Sequence, residues 1–328
     1  MYRTPEKNCG DIMIEILKTT DNKLIELGIN EAQSGSWFNL IDPTYDEIQK
    51  VSLILNLDES FLRNSLDVDE RSRIEIEDDS VLIITNIPLM EDEGTYDTLP
   101  LGIIFTSRGF ITVSSKKNKV ISSFNKDTAA SFDTRNKTKF LLDILFRSTK
   151  YYLRYLNYIY KQSEEIEEEL RKTMKNKALF QLFEVQKSLV YFTTALRDNY
   201  MVLQKIMRIS QNTKQNSLLK FTEDDIDLLE DVIIENKQAL EMVEMHRNIL
   251  ENMMDAFASI ISNNLNIVMK FLTSIAIIFA IPTMFSSFWG MNVAVPFANN
   301  EFGFLIVSVI SLIAAILAAV FFAKKGMF

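Results

Sequence analysis

At 328 residues and 47% hydrophobic content, the chain has material for a globular domain and something more. Its net charge of −9 comes from 44 acidic against 35 basic residues, and after residue 266 only Lys270, Glu301, Lys324 and Lys325 are charged, so the acidity is gathered in the part before. An acidic body excludes nucleic acid as a partner, since phosphate binding needs a basic face; one cysteine, Cys9, excludes an intrachain disulfide, and with one histidine, His246, it leaves Cys–His or Ser–His catalysis unsupported.

The first thirty residues are charged and lack a basic-then-apolar signal pattern, which places the acidic body in the cytoplasm. Residues 12–17, 37–41, 73–77, 81–87, 101–106 and 110–114 read as strands, with Gly94 and Gly109 where turns are expected. Asp42 and Pro43 read as the N-cap and first residue of a helix running to about Asn56, whose Ile48, Val51, Leu53 and Leu55 can cover a sheet. Together these make a cytoplasmic α/β domain over residues 1–135.

From residue 136 the pattern changes. No Gly or Pro occurs between Phe110 and Ile281, which requires long helices, and residues 136–266 read as a stalk bundle. A break is expected within residues 210–217; before it lies a single long helix or a helical pair, carrying an acidic patch at residues 164–169. After it Thr222 can cap a new helix, with Glu223, Asp224 and Asp225 in the first turn where the helix dipole favours acids. Nothing stops that helix before Trp289 except Pro282, and about 67 residues at 1.5 Å each reach on the order of 100 Å. Ile226, Leu229, Ile233, Leu240, Val243, Leu250, Met254, Phe257 and Ile261 form its apolar stripe, and His246, near Glu244 and Arg247, reads as a surface residue.

Residues 271–289 carry no charge and match the roughly 20 residues needed to cross a bilayer core. We place a first membrane span at 267–289, an outer loop at 290–301, a second span at 302–323 and a basic tail at 324–328. Lys270 precedes the first span, Lys324 and Lys325 follow the second, and the loop has no Lys or Arg, so both termini face the cytoplasm of a cell-membrane protein with two passes. On the first span Asn266, Met269, Leu272, Ala276, Ala280, Thr283 and Ser287 recur at three- and four-residue spacing and share one side. Such a side serves close helix packing, which periodicity alone favours, or lines an aqueous path. One hairpin cannot enclose a path, so a pore requires several copies about an axis, with Asn266, Thr283 and Ser287 as polar rings and Met269 and Leu272 as an apolar constriction.

Trp289 is followed by Gly290-Met291-Asn292. This tripeptide directly after the first of two C-terminal spans, with a charged helical stalk before it and a lysine pair at the end, resembles the CorA magnesium transporter family. Residues 266–272, Asn-Ile-Val-Met-Lys-Phe-Leu, are similar to that family's pore entrance, and Asp42-Pro43 and the run from Asp67 to Asp79 are like its cytoplasmic domain. The chain differs in having Trp289 where the family usually has tyrosine, and Glu301 as the only acid of the outer loop.

The resemblance implies an α+β cytoplasmic domain with a long helical stalk and two C-terminal transmembrane helices, assembled with lipid around it as a funnel-shaped homopentamer. It implies that Gly290, Met291 and Asn292 select the ion and that the stalk helix lines the pore. Uptake of Mg²⁺ would follow the membrane potential, with Co²⁺, Ni²⁺ and Zn²⁺ as rival cargoes and a non-conducting membrane scaffold as the alternative of another class. No phosphate-binding loop of Walker type occurs, an enzyme is the least supported class, and no organic cofactor is expected. Asp231 lies at a place similar to the family's regulatory aspartate. Glu91, Asp92 and Glu93 of a neighbouring subunit are its candidate partners around a regulatory Mg²⁺, against the plainer reading of a solvated acidic face.

Overall fold

The computed structural model describes residues 14–77, 79–91, 94–173, 176–211, 218–297 and 300–327. The chain divides into two compact units, Met1–Glu251 and Asn252–Phe328. Cys9, Asp92 and Glu93 lie outside the described residues, as does the N-terminal end of the first expected strand.

The first unit holds strands β1 (Ile14–Thr20), β2 (Lys23–Glu26), β3 (Trp37–Ile41), β4 (Arg73–Ile76), β5 (Ser80–Met90), β6 (Tyr96–Thr106) and β7 (Phe110–Ser114) in one sheet of order β2-β1-β3-β7-β6-β5-β4. Only β3 and β7 run parallel. Strand alternation sends neighbouring residues to opposite faces. Ile16, Phe38, Leu40, Leu82, Ile84 and Ile104 pack with helices α1 (Tyr45–Leu55) and α2 (Glu59–Asn64), while Leu17, Trp37, Val81, Ile83 and Ile103 pack with long helices on the other side.

Strand β2 and helix α2 go beyond the sequence reading. Asp21 and Asn22, both at positive φ, make the two-residue turn that folds β2 back on β1. Strands β5 and β6 are longer than read, because Pro88 and Pro100 stay inside the ladder. Pro88 lies past the stretch Val81–Ile84 that β4 pairs, and Pro100 past the stretch Gly102–Phe105 that β7 pairs. Each ring therefore sits where its strand has a neighbour on one side only, the setting in which a missing donor is tolerated.

The start of α1 needs correction. Its cap is Thr44, not Asp42: Thr44 Oγ1 accepts from the Glu47 amide at 3.4 Å, and Glu47 Oε2 accepts from the Thr44 amide at 2.7 Å. This reciprocal box satisfies two orphan donors, whereas Asp42 has φ of +47° and stands outside the helix. Helix α3 (Lys119–Ser122) and a 3-10 turn at Lys126–Ser131 follow β7.

Three long helices complete the unit: α4 (Lys137–Thr173), α5 (Asn176–Gln211) and the start of α6 (Glu223–Trp289). The stretch before residue 210 is thus a pair. Thr222 caps α6 as expected, accepting from the Asp225 amide at 3.2 Å while Asp225 Oδ2 accepts from the Thr222 amide at 2.9 Å. The buried seam of α6 differs from the apolar stripe read from sequence. It runs Leu229, Val232, Asn236, Ala239, Val243, His246 and Leu250, alternating three and four residues, the period of about 3.5 by which helices supercoil.

That seam corrects His246. It is 8% exposed, its ring lies 5.1 Å from that of Tyr160 on α4, and Nε2 has no hydrogen-bond partner. Burial lowers its pKa and keeps it neutral. On acidification the unfolded chain takes up this proton first, so His246 removes stability as pH falls below its ordinary value of about 6.5. Half-buried Asp143, raised to about 6 by desolvation, acts in the opposite sense, gaining stability toward low pH. Melting curves of the full chain and of His246→Phe between pH 7.5 and 5.5 should therefore diverge, the variant losing less on acidification; parallel curves would contradict the burial.

A buried amide ties sheet to bundle. Asn199 Oδ1 on α5 accepts from Ser72 Oγ at 2.8 Å, Thr85 Oγ1 at 2.9 Å and the Asn86 amide at 3.0 Å. Its Nδ2 donates to the Asn86 carbonyl at 2.7 Å, which also accepts from Tyr152 OH at 2.8 Å. Removing one hub strands several donors at once. Asn199→Ala should cost about 2–4 kcal/mol, visible as a lower melting temperature of the full chain in detergent.

Candidate ion pathway

The second unit contains the C-terminal part of α6 and helix α7 (Gly303–Lys324). The most apolar windows of the two helices have mean hydropathy 2.0 and 3.0, yet only 6% and 11% of those windows are buried within the chain. Phe279, Phe304 and Leu317 are exposed by 72%, 74% and 64%. A soluble core helix of this composition would be covered; these side chains require an apolar surrounding.

Only part of the helix surface is covered. On the membrane part of α6 the shielded positions are Ser274, Ile275, Ile278, Ile281, Pro282, Phe285 and Trp289, and on α7 they include the small residues Gly303, Ser311 and Ala315. Small side chains allow backbones in a membrane to approach closely. The seven residues read as a pathway edge, Asn266, Met269, Leu272, Ala276, Ala280, Thr283 and Ser287, are all exposed. At about 100° per residue the shielded set and this edge centre on opposite sides of α6. The edge is therefore not consumed by the chain's own hairpin. Thr283 Oγ1 donates to the Phe279 carbonyl at 3.0 Å, which leaves its oxygen as an acceptor.

The tripeptide follows the end of α6. Gly290 donates to the Ser286 carbonyl at 3.0 Å as the last helical bond, and its φ lies outside the left-handed region. Its use is therefore space rather than a left-handed turn, since an added Cβ would come to 3.2 Å from the Ser286 carbonyl oxygen. Met291 and Asn292 are exposed, and the Asn292 amide makes no hydrogen bond among the described residues. That oxygen is available to an ion or its water shell.

Sequence reasoning missed what holds this turn. Trp289 Nε1 donates to the Pro296 carbonyl at 3.0 Å, tying the loop back to the helix that precedes it. Phe297, at φ +66°, brings its carbonyl so near Gly303 that a Cβ there would lie 2.4 Å away, with Trp289 Cζ2 at 3.1 Å. The signal was a tryptophan in the usual place of a tyrosine: its N–H reaches a carbonyl seven residues on. Gly303→Ala should lower the melting temperature by forcing these groups apart. Trp289→Phe, which puts a smaller ring in place of the indole and loses its one hydrogen bond, should cost at least about 1 kcal/mol and also lower the melting temperature.

The acidic residues proposed as a sensor are in the first unit. Asp231 is exposed on α6; Glu91 Oε1 accepts from Lys116 Nζ at 2.5 Å in an exposed ion pair. Among the described residues no three His, Cys, Asp or Glu side chains gather to hold a metal.

A family model described as CorA-like Mg²⁺ transporter protein matches residues 32–325. The chain belongs to the CorA family. The cobalt/magnesium transport protein CorA of Methanocaldococcus jannaschii is 30% identical over 296 residues, 88% of this chain and 90% of that one. The protein of the same description from Thermotoga maritima is 24% identical over 325 residues, 94% and 87% of the two chains. Among solved structures, the complete CorA magnesium transporter from Methanocaldococcus jannaschii superposes with a TM-score of 0.83 at 27% identity, covering 97% of this chain and 99% of that one. The architecture is accordingly that of CorA: an α+β domain, a long helix and two apolar C-terminal helices.

Proposed function

We propose that this chain is the subunit of a homopentameric Mg²⁺ channel of the cell membrane, conducting Co²⁺ as a second cargo, with both termini in the cytoplasm. The observation that carries the reading is the free edge of α6 from Asn266 to Ser287, small or polar over most of its length and turned away from the face shielded in the hairpin. The CorA relatives, described as cobalt/magnesium transport proteins, supply the cargo.

Five such edges around an axis form stacked rings. Asn292 amide oxygens and the Gly290 carbonyl hold the hydrated ion at the outer mouth, with Met291 between them; Mg²⁺ gives up its water reluctantly, so neutral oxygens suffice. Thr283 and Ser287 offer hydroxyls next, and Ala276 and Ala280 leave room. Met269 and Leu272 close the path by excluding water, above the polar ring of Asn266. The protein transports rather than catalyses, and no nucleotide hydrolysis is needed: a divalent ion entering a negative interior gains roughly 2 × 2.3 kcal/mol per 100 mV. Asp231, with acids of a neighbouring copy such as Glu91, Asp92 and Glu93, binds regulatory Mg²⁺ when the internal concentration is high and holds the path closed.

The test is Mg²⁺ entry into liposomes under an inside-negative potential, followed with an internal dye. Asn292→Ala should reduce entry by at least about tenfold, while the assembled mass in detergent stays that of the parent. Undiminished entry through that variant would remove the tripeptide from the pathway.

A further inference from the structure

A cavity of about 580 Å³ opens in the first unit between the end of β5, the segment from Lys117 to Asn125, and α4. Its size is that of small-molecule sites. In a chain with nine more negative than positive charges, its described lining includes Lys117 and Lys119 and no carboxylate. Neither lysine has an ion-pair partner among the described residues, while adjacent Lys116 is taken by Glu91. The opposite wall is aromatic and apolar, made by Tyr151, Tyr155, Leu89 and Met90.

Tyr155 adds a donor to the same cavity. It is 3% exposed, with rings of Tyr96 at 5.3 Å and Tyr151 at 5.8 Å, yet its hydroxyl makes no hydrogen bond among the described residues. Burial pushes its pKa up to about 12, so the group stays a donor. That hydroxyl is not among the buried atoms without a partner, so it meets the solvent of the cavity, where a ligand atom can replace water. Two ammonium groups and a phenolic donor suit phosphate oxygens and repel a metal ion. Simple phosphate has no use for the aromatic wall, whereas a planar base does.

We propose that this cavity binds a phosphorylated nucleoside, its phosphates between Lys117 and Lys119 near the Tyr155 hydroxyl, and its base against Tyr151, Leu89 and Met90. The site uses none of the residues assigned to the ion path or its regulation, so its test uses no flux measurement and its failure leaves the transport reading intact.

Binding is measured by titration calorimetry on the full chain in detergent, with ATP, ADP, adenosine and inorganic phosphate as separate probes. EDTA is present throughout, because nucleotides chelate Mg²⁺ and its withdrawal would mimic an effect. ATP and ADP should bind, with adenosine and phosphate each at least about tenfold weaker; Lys117→Ala and Lys119→Ala should each weaken ATP about tenfold, one charge-assisted contact apiece. Tyr155→Phe should weaken ATP severalfold yet leave the melting temperature without ligand unchanged, since that hydroxyl holds nothing in the protein. No ATP binding at roughly millimolar concentration, phosphate as tight as ATP, or parental affinity in the lysine variants would each overturn the site.

Discussion

Within a bilayer no water is present to complete a hydrogen bond, so a spanning helix must close its backbone upon itself and has only its side chains left to distribute. Helix α6 divides them by side. Ser274, Ile275, Ile278, Ile281, Pro282, Phe285 and Trp289 are shielded, and the edge from Asn266 to Ser287 is free. Every functional statement about the membrane part rests on this division, because a helix that spent its small and polar edge on its own hairpin would have nothing to offer an ion. Ser274 illustrates the economy: it is fully buried and returns its hydroxyl to the Lys270 carbonyl at 2.8 Å.

The first unit is held by a different device. Two asparagines sit inside apolar surroundings and find partners on another element. Asn236 on α6 donates to the Leu196 carbonyl on α5 at 3.0 Å, and Asn199 on α5 serves the sheet. Apolar contacts alone allow long helices to slide by a turn; directed bonds of this kind fix register. His246 has the same position in the seam without such a bond, which makes it the pH-sensitive member.

Much of the fold could be read from the residues because it follows local rules. Strands β3 and β7 lie where alternation put them, and Thr222 starts the long helix through a cap and acidic first turn visible in four consecutive letters. The errors share one cause: the deciding partner was distant or a stronger local rule stood nearby. Thr44 displaced Asp42 because Glu47 completes a reciprocal box. His246 looked superficial from its charged neighbours, since a seam of mixed polar and apolar residues cannot be found by counting apolar ones. Of the pathway, the sequence pattern could align the edge of α6 but could not say which side the hairpin shields. Trp289 stood out in the sequence, but its bond to Pro296 could not be placed, because it depends on how the chain bends after the tripeptide.

The two prolines in the central hairpin have a consequence for assembly. Beyond the reach of β4 and β7, strands β5 and β6 continue as a two-stranded ribbon whose outer borders have no strand beside them, and Asn199 and Ser188 of α5 take the outward amides of Asn86 and Tyr96. Pro88 on one border and Pro100 on the other have no N–H to offer. The ribbon is thereby protected from acquiring a foreign strand.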